Sequence, residues 1–472
     1  MSAAAARRAV LLALAFGAFA RIALYVANLS LWHDEAFVAL IVRNVPFTAL
    51  LGPLDWNEPS PPGFLAIEKA MAGTFGESER MLRAVPLLAS LAGLLAVAWL
   101  AWRTCLDRNG AVWAIGLAAA SNGLISDAAQ VKHFSLDLLL ASLMGGLAWR
   151  ACRVDARGRV ALWLWGVTGA LGLWVSYAVA FSSVGGGAVL AWQAAKRSDR
   201  AALSALLWSA GAIAISAALL SPAVFAQRSQ GVVEFWAAQF PPRDGWWALI
   251  AWLVRAGVAL FDQLWRPAGG LLIPLALWAA VIWWMGNRRT RLGILCLPLV
   301  CSLFAAAAGW WPFGGTQHMR FAAPAVLLLS GDGLERLRRW LAAGRRPSLA
   351  PILLVLVLGS GVIRAAWRVA VPPPRHAMRE AIAFMQARAE TDDQLAVFEP
   401  ATFAFYTGRD MRTVPLGFTP ARRVWVLTPA SVRGDLDPDV RALIAQLAEE
   451  RPRLAEHVHD GAAALLFGTS GR

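Results

Sequence analysis

The sequence predicts a polytopic α-helical membrane protein of about eleven spans, with outer interfacial helices and a small C-terminal α/β soluble domain. Three observations predict it. Of the 472 residues, 58% are hydrophobic and only 16% charged, with a mean hydropathy of +0.53. Arginine clusters recur between apolar runs, and the texture of the chain changes after about residue 372. An average soluble domain carries about 25% charged residues, so a water-soluble core cannot absorb this much apolar side chain and lipid is the natural solvent.

The net charge of +14 does not indicate nucleic acid. Its basic residues sit in short clusters, at Arg7 and Arg8, Arg103 and Arg108, Arg150 to Arg159, Lys196 to Arg200, Arg288 to Arg291 and Arg336 to Arg346. That is the positive-inside pattern of a chain that crosses a membrane repeatedly, and no basic stripe follows one soluble face. The 24 Trp against 3 Tyr fit interfacial anchoring. With the clusters held inside, the spans fall at 9–31, 84–102, 111–128, 133–149, 160–176, 178–195, 201–221, 269–286, 292–311, 321–337 and 349–367. The N-terminus is then cytoplasmic and the C-terminus outside. The first apolar run has no cleavage site after it and reads as a retained span. The pair 160–176 and 178–195 is short and closely joined, which leaves room for a partly re-entrant segment.

Two stretches are apolar without reading as spans. Residues 61–76, "PPGFLAIEKAMAGTFG", are too few to cross and carry Glu68 and Lys69 at their centre. Counting them as a span would put every later arginine cluster outside. They read as an interfacial or re-entrant outer helix, and 243–262, Trp-rich with Asp244, Arg255 and Asp262, reads as a second.

The division is therefore a transmembrane domain over 1–371, including an outer loop at 30–83, and an extracytoplasmic α/β domain over 372–472. Pro372 to Pro374 make a stiff linker. "QLAVF" and "RRVWVL" have the look of strands, while "REAIAFMQARAE" and "PDVRALIAQLAEE" have helical apolar spacing. This tail shows no phosphate loop, metal-spaced ligands or nucleophile elbow, and reads as a lid or substrate-positioning module. Cys105, Cys152, Cys296 and Cys301 suggest neither a disulfide framework nor a metal motif and read as buried thiols.

The unusual polar residues collect on the outer side. Asp34 and Glu35 lie in "SLWHDEAFVAL", Glu58 in "LDWNEPSPPGF", Lys132 and His133 in "SDAAQVKHFSLD", and His318 and Arg320 in "WWPFGGTQHMR". Each has a plain structural reading. The two acids could cap the helix that begins there, and Lys132 and Arg320 could snorkel to headgroups. His318 could be an ordinary turn residue, and Arg83 could anchor the interface or pair with Glu77 or Glu79. Arg21, deep in the first span, is either functional or paired with an acid of another span such as Asp137. As a set they say more. A carboxylate can act as general base towards a hydroxyl, and Lys and Arg can hold a phosphate leaving group. That equips a face of the membrane to move a group from a lipid-linked phosphate donor to a hydroxyl.

Several strings carry a family likeness: "LWHDEAF", "PSPPGFLAIEKAMAGTFGESERMLRAVP", "SDAAQVKHFSLDLLLA", "VVEFWAAQFPP" and "WWPFGGTQHMRFAAPAVLLLSGDGLERL", with a fainter echo in "REAIAFMQARAETDDQLAVFEPATFAFYTG". In this order they resemble the polytopic glycosyltransferases of the GT-C fold, family-39-like, grouped with the protein O-mannosyltransferases and the aminoarabinose transferase of lipid A. The resemblance implies transfer of a sugar from a polyprenyl monophosphate at the outer, periplasmic face to a lipid, glycan or protein hydroxyl, with inversion. It implies Asp34 as the base and Glu35 as its helper or acceptor guide. Lys132 and Arg320 would hold the lipid phosphate, with His318 behind them, and Glu58 and His133 complete the substrate-binding set. Some members use a divalent cation near the acidic motif, and nothing in this sequence requires one. The pattern departs at Gln130, where relatives often have Glu, at Phe134, where they often have Tyr, and at Glu58, often Gln or His. These changes bear on the acceptor and on any metal contact.

The alternative from another class is a lipid-linked sugar flippase or other transporter. It needs polar residues lining a path to the midplane, for which Arg21, Asp137 and Glu68 are the candidates. No internal repeat of the kind common in transporters is evident. A non-catalytic glycan-binding or assembly role would be favoured only if Asp34 proved dispensable.

Overall fold

The structure is a computed structural model that describes all residues except 106, 154, 267–268, 287, 345–348, 372–376, 413–417, 430–436, 460 and 470–472, and the side chains of 349–357 and 459. The expected linker Pro372 to Pro374 and the arginines at 345 and 346 lie outside the described residues. The chain divides into two compact units. One comprises Met1–Val26, Phe47–Glu68 and Arg83–Ala370, and the other Ala27–Pro46, Lys69–Leu82 and Val371–Arg472.

The first unit is a helical bundle. Each of the eleven expected spans falls on helix: Ala3–Val26, Ala84–Thr104, Arg108–Ala120 with Asn122–Asp127, Phe134–Ala151, Ala156–Val175, Val179–Lys196, Arg200–Ala226, Gly269–Met285, Arg289–Ala307, Ala323–Ala343 and Leu349–Ala370. Among the described residues, seven helices are long and apolar enough to cross a membrane, and Gly269–Met285 is a shorter apolar one. The chain is an integral membrane protein. The closely joined pair at 156–196 turns out to be two complete helices of 20 and 18 residues.

The first span ends at Val26, earlier than expected, because Asn28 takes a left-handed φ of 46°, which Asn tolerates better than most residues. The third breaks at Ser121, whose hydroxyl caps the next turn by accepting from Leu124 N at 3.4 Å. Helix contacts rely on small residues. A Cβ on Gly331 would sit 2.6 Å from the backbone of Gly110 and Ala114, so only glycine lets Ala323–Ala343 and Arg108–Ala120 approach this closely.

Pro62–Phe75 is a 14-residue helix, about 21 Å long against a hydrocarbon core of about 30 Å, so it is too short to span. Trp246–Trp265, expected at the interface, is long and apolar enough to cross. Its contacts are spread along its length: Trp252 donates to Ala238 O at 3.3 Å, Ala256 and Ala259 lie against Gly314 and Gly315, Gln263 binds Gly314 O at 3.3 Å and Arg320 at 2.8 Å, and Leu264 O accepts from Ser121 at 2.8 Å.

Arg21 does not pair with Asp137. Its guanidinium donates to Ser90 Oγ at 3.0 Å and to the carbonyls of Gly17, Ala118 and Ala119 at 2.9, 3.2 and 3.4 Å. Asp137 instead accepts from Ser176 Oγ at 2.6 Å. The bundle satisfies the buried cation with helix carbonyls at the close crossings its alanines allow.

The second unit is the α/β part. Its four-stranded sheet comprises β1 (Gln394–Val397), β2 (Val424–Pro429), β3 (Arg453–His459) and β4 (Ala462–Phe467), in the order β1-β2-β4-β3. β1 and β2 are parallel, and the other neighbours antiparallel. Both faces are covered. Leu395, Val397, Trp425 and Leu427 pack with Ile382, Met385 and Phe403, while Ala396, Val424, Val426 and Phe467 pack with Leu447. The two strands and two helices expected from the sequence are present, and the β3–β4 hairpin and the helix Pro400–Thr407 add to them.

Candidate functional site

In the second unit, the acidic pair begins the helix His33–Asn44. The two acids are not equivalent. Glu35 is fully buried, and its Oε2 turns back to Trp32 N at 3.5 Å, half of a capping box. The capping reading therefore describes Glu35. Asp34 is 32% exposed, and its Oδ1 lies 3.0 Å from His33 Nε2.

This helix start is tied to the C-terminal region of the same unit. Tyr406 OH accepts from Leu31 N at 3.0 Å, meets Ser30 Oγ at 3.3 Å and donates to Glu79. Arg379 pairs with Glu79, donates to Asn28 O at 3.2 Å, and through its backbone N–H donates to Ser30 Oγ at 3.2 Å. Further along, Arg43 pairs with Glu77 at 2.6 Å, donates to Phe405 O at 3.0 Å and lies 4.5 Å from the Phe405 ring. Glu77 and Glu79, suggested as partners of Arg83, are thus engaged by Arg43 and Arg379. Burial, with the Glu79 charge beside it, holds the Tyr406 phenol well above its ordinary range. The tail of the chain is therefore the scaffold of the acidic motif. Sequence reasoning gave Arg379 and Tyr406 no role, because their partners lie some 300 residues away and no spacing links them.

The first unit gathers Glu58, Lys132, His133, His318 and Arg320. Lys132, only 4% exposed, pairs with Glu58. Glu58 follows two successive left-handed residues, Trp56 at φ 65° and Asn57 at φ 50°. The strand of chain beyond it is held by Gln227, which accepts from Ser60 N at 3.1 Å. Gln130, one of the departures from the family pattern, accepts from Gln317 at 3.2 Å and donates to Ser126 at 3.0 Å, so it braces the segment that carries Lys132.

His133 is buried with its Nε2 4.0 Å from Asp137. His318 lies among aromatic rings, with centroid distances of 5.1 Å to Trp236, 5.4 Å to Phe134, 5.7 Å to Trp311 and 6.4 Å to His133. Arg320 is buried and committed within the bundle: it forms a fork with Asp127 at 2.5 and 3.1 Å and donates to Gln263 at 2.8 Å. Asp127 and Gln263 are thus first-hand partners that the sequence did not reveal, 193 and 57 residues away.

Glu68 is buried on the short helix Pro62–Phe75, and neither carboxylate oxygen has a hydrogen-bond partner among the described residues. Burial raises its pKa well above the ordinary carboxylate value. Among the described residues no three His, Cys, Asp or Glu side chains converge as ligands for a metal ion.

No family model and no curated protein matches the sequence. Solved structures do. ArnT from Cupriavidus metallidurans bound to undecaprenyl phosphate aligns with a TM-score of 0.55 at 14% identity, over 96% of this chain and 97% of that one. The apo state of the same protein aligns at 0.54 and 16% identity, with the same coverage. The archaeal oligosaccharyltransferase AglB from Archaeoglobus fulgidus, in complex with an inhibitory peptide and a dolichol-phosphate, aligns at 0.50 and 12% identity, over 98% of this chain and 74% of that one. At such identities the likeness speaks for architecture, and the architecture is that of the resemblance drawn from the sequence: the chain has the GT-C fold.

Proposed function

We propose that the chain is a membrane glycosyltransferase that moves a sugar from a polyprenyl-phosphate-linked donor to a hydroxyl of a lipid, glycan or protein at the outer, periplasmic face. The observation that carries the reading is the fold: nearly the whole chain aligns with a structure that binds undecaprenyl phosphate, and AglB was solved with dolichol-phosphate. The outer placement follows from the arginine clusters.

In the proposed reaction Asp34 takes the proton of the acceptor hydroxyl. The hydroxyl oxygen attacks the anomeric carbon from the face opposite the phosphate. The bond from that carbon to the phosphate oxygen breaks, and polyprenyl phosphate leaves with the electron pair. One displacement inverts the centre. Lys132 stabilises the charge that grows on the leaving phosphate, and Arg320, held by Asp127 and Gln263, backs it. Glu35 sets the helix on which Asp34 sits. Glu58 keeps Lys132 in place, and His133 and His318 belong to the substrate-binding wall.

The transporter alternative loses two of its three residues. Arg21 and Asp137 are bonded to helix carbonyls and to Ser176, which makes them part of the packing. The test is to incubate purified protein with a panel of undecaprenyl-phosphate-linked sugars and measure transfer or hydrolysis. Asp34→Asn should lower the rate by about 10²- to 10⁴-fold, the range of a lost general base. A folded, membrane-inserted variant with near wild-type transfer would remove Asp34 from this role, and no turnover of any donor by the wild type would count against the reading as a whole.

A further inference from the structure

His33, which the motif resemblance leaves without a role, stands between two carboxylates of the second unit. Its Nε2 is 3.0 Å from Asp34 Oδ1 and its Nδ1 is 3.7 Å from Glu399 Oε1. Adjacent residues in a helix interior do not face one another. The His33–Asp34 contact exists because His33 is the first helical residue, preceded by Trp32 in extended backbone. The imidazole is also gripped edge-on, by Trp32 at 4.8 Å and by Phe37, one turn on, at 5.8 Å.

Glu399 is itself placed with care. It is buried, precedes the helix Pro400–Thr407, and accepts from Thr402 Oγ1 through Oε2 at 3.2 Å. That leaves Oε1 directed at the ring. The other charged groups on the elements packed here have their own partners: Arg43 with Glu77, Glu79 with Arg379 and Tyr406, and Lys69 with Val42 O at 2.7 Å. Glu35 points into its own helix start.

Resting on the proposed transfer reaction, we infer that His33 and Glu399 are positioning residues for Asp34, so that the tail of the chain supplies a carboxylate to the acidic motif. An imidazole between two carboxylates favours its charged form. In that form it donates through Nε2–H to Asp34 Oδ1 and faces Glu399 with Nδ1–H. This fixes the rotation of the Asp34 carboxylate and keeps it ionised, ready for the acceptor proton. That proton moves from the acceptor oxygen to Asp34 and no further, and His33 keeps its own.

The test uses full-length protein and the panel donor that the wild type turns over fastest. Glu399→Gln should lower kcat about 10- to 100-fold, the scale of a misplaced catalytic group, with donor KM unchanged. Without the carboxylate His33 is less cationic, Asp34 is less acidic, and the acid limb of the rate profile moves to higher pH. His33→Phe should do the same more strongly. His33→Gln, which keeps a donor near the Nε2 position, should recover part of kcat, and Glu399→Asp most of it. The inference fails alone if Asp34→Asn is inactive while Glu399→Gln and His33→Phe keep the wild-type kcat and acid limb. It fails likewise if their lost activity only tracks lost thermal stability, with the limb unmoved and no recovery in the conservative variants. An active Asp34→Asn protein removes the base and the inference together.

Discussion

Lys132→Met is the substitution with the sharpest consequences. Lys132 is 4% exposed and its partner Glu58 15% exposed. Removing the cation leaves Glu58 a nearly buried charge that has lost this ion pair. Breaking a buried pair in this way costs about 3–5 kcal/mol, and the residual access of Glu58 to water favours the lower end. Lys132→Met/Glu58→Leu removes both charges and should recover most of that loss. Stability and phosphate binding can then be separated. The double variant still lacks one charge-assisted hydrogen bond to a phosphate, worth about 1.5–3 kcal/mol, or about 10- to 150-fold in affinity. Undecaprenyl phosphate titrated into purified protein, read by calorimetry and by the shift in thermal unfolding, measures it. Glu58→Gln keeps the cation, removes its competitor, and should bind at least as tightly as wild type. A stable double variant that binds undecaprenyl phosphate like the wild type would refute the assignment of Lys132 to the phosphate.

Arg320→Met should strand Asp127, which is 2% exposed, at about 3–5 kcal/mol, so the single variant should accumulate poorly and Arg320→Met/Asp127→Leu should restore it. If the restored protein binds undecaprenyl phosphate normally, Arg320 is structural only. Tyr406→Phe removes the acceptor of Leu31 N and a donor to Glu79, a loss of about 1–3 kcal/mol, and should speed limited proteolysis within residues 27–32; an unchanged cleavage rate would contradict the scaffold role of Tyr406. Glu68 has a folded pKa raised by burial, so the stability tied to its neutral form is complete below the unfolded carboxylate pKa and is lost as pH rises through the folded value. Glu68→Gln should therefore be near neutral in acid and increasingly stabilising as pH rises, read as thermal unfolding at pH 5, 7 and 9, and parallel curves for the two proteins would disprove it.

The spans were legible because lipid imposes a one-dimensional rule: about twenty apolar residues between basic clusters. Pairings across long sequence separations were not. Arg320 looked available for phosphate because nothing local shows that Asp127, 193 residues earlier, occupies it. Arg21 looked in need of an acid because carbonyl acceptors at a close helix crossing leave no trace in side-chain chemistry. The β3–β4 hairpin did have a signal, the Asp-Gly pair at 460–461 just before the apolar run AAALLF, with Gly461 at φ 81°. Asp34 and Glu35 were legible as a pair, but only their surroundings separate a buried cap from a partly exposed carboxylate. The same surroundings gave His33 and Glu399 a place that neither a motif nor its spacing indicates.

The strain before Glu58 fits the proposed chemistry. A Trp at φ 65° is a true outlier for a bulky side chain, costing on the order of 1–2 kcal/mol, and such conformations persist only where the surroundings hold them. Here the flanking restraints are the Glu58–Lys132 pair and the grip of Gln227 on Ser60. A sugar-linked polyprenyl phosphate is a diester with one negative charge, equal to that of Glu58, so on entry it competes with the carboxylate for Lys132 with little net change. As the sugar bond breaks, the phosphate becomes a monoester of about −1.5 to −2 charge and outbids Glu58. The cation thus binds the departing phosphate more strongly than the donor, and interactions that strengthen along the reaction raise kcat more than they lower KM. Release of the strained segment adds to the same side. In Lys132→Met/Glu58→Leu, transfer should accordingly fall mainly through kcat, and a loss confined to donor KM would show that Lys132 recognises the donor without favouring its cleavage.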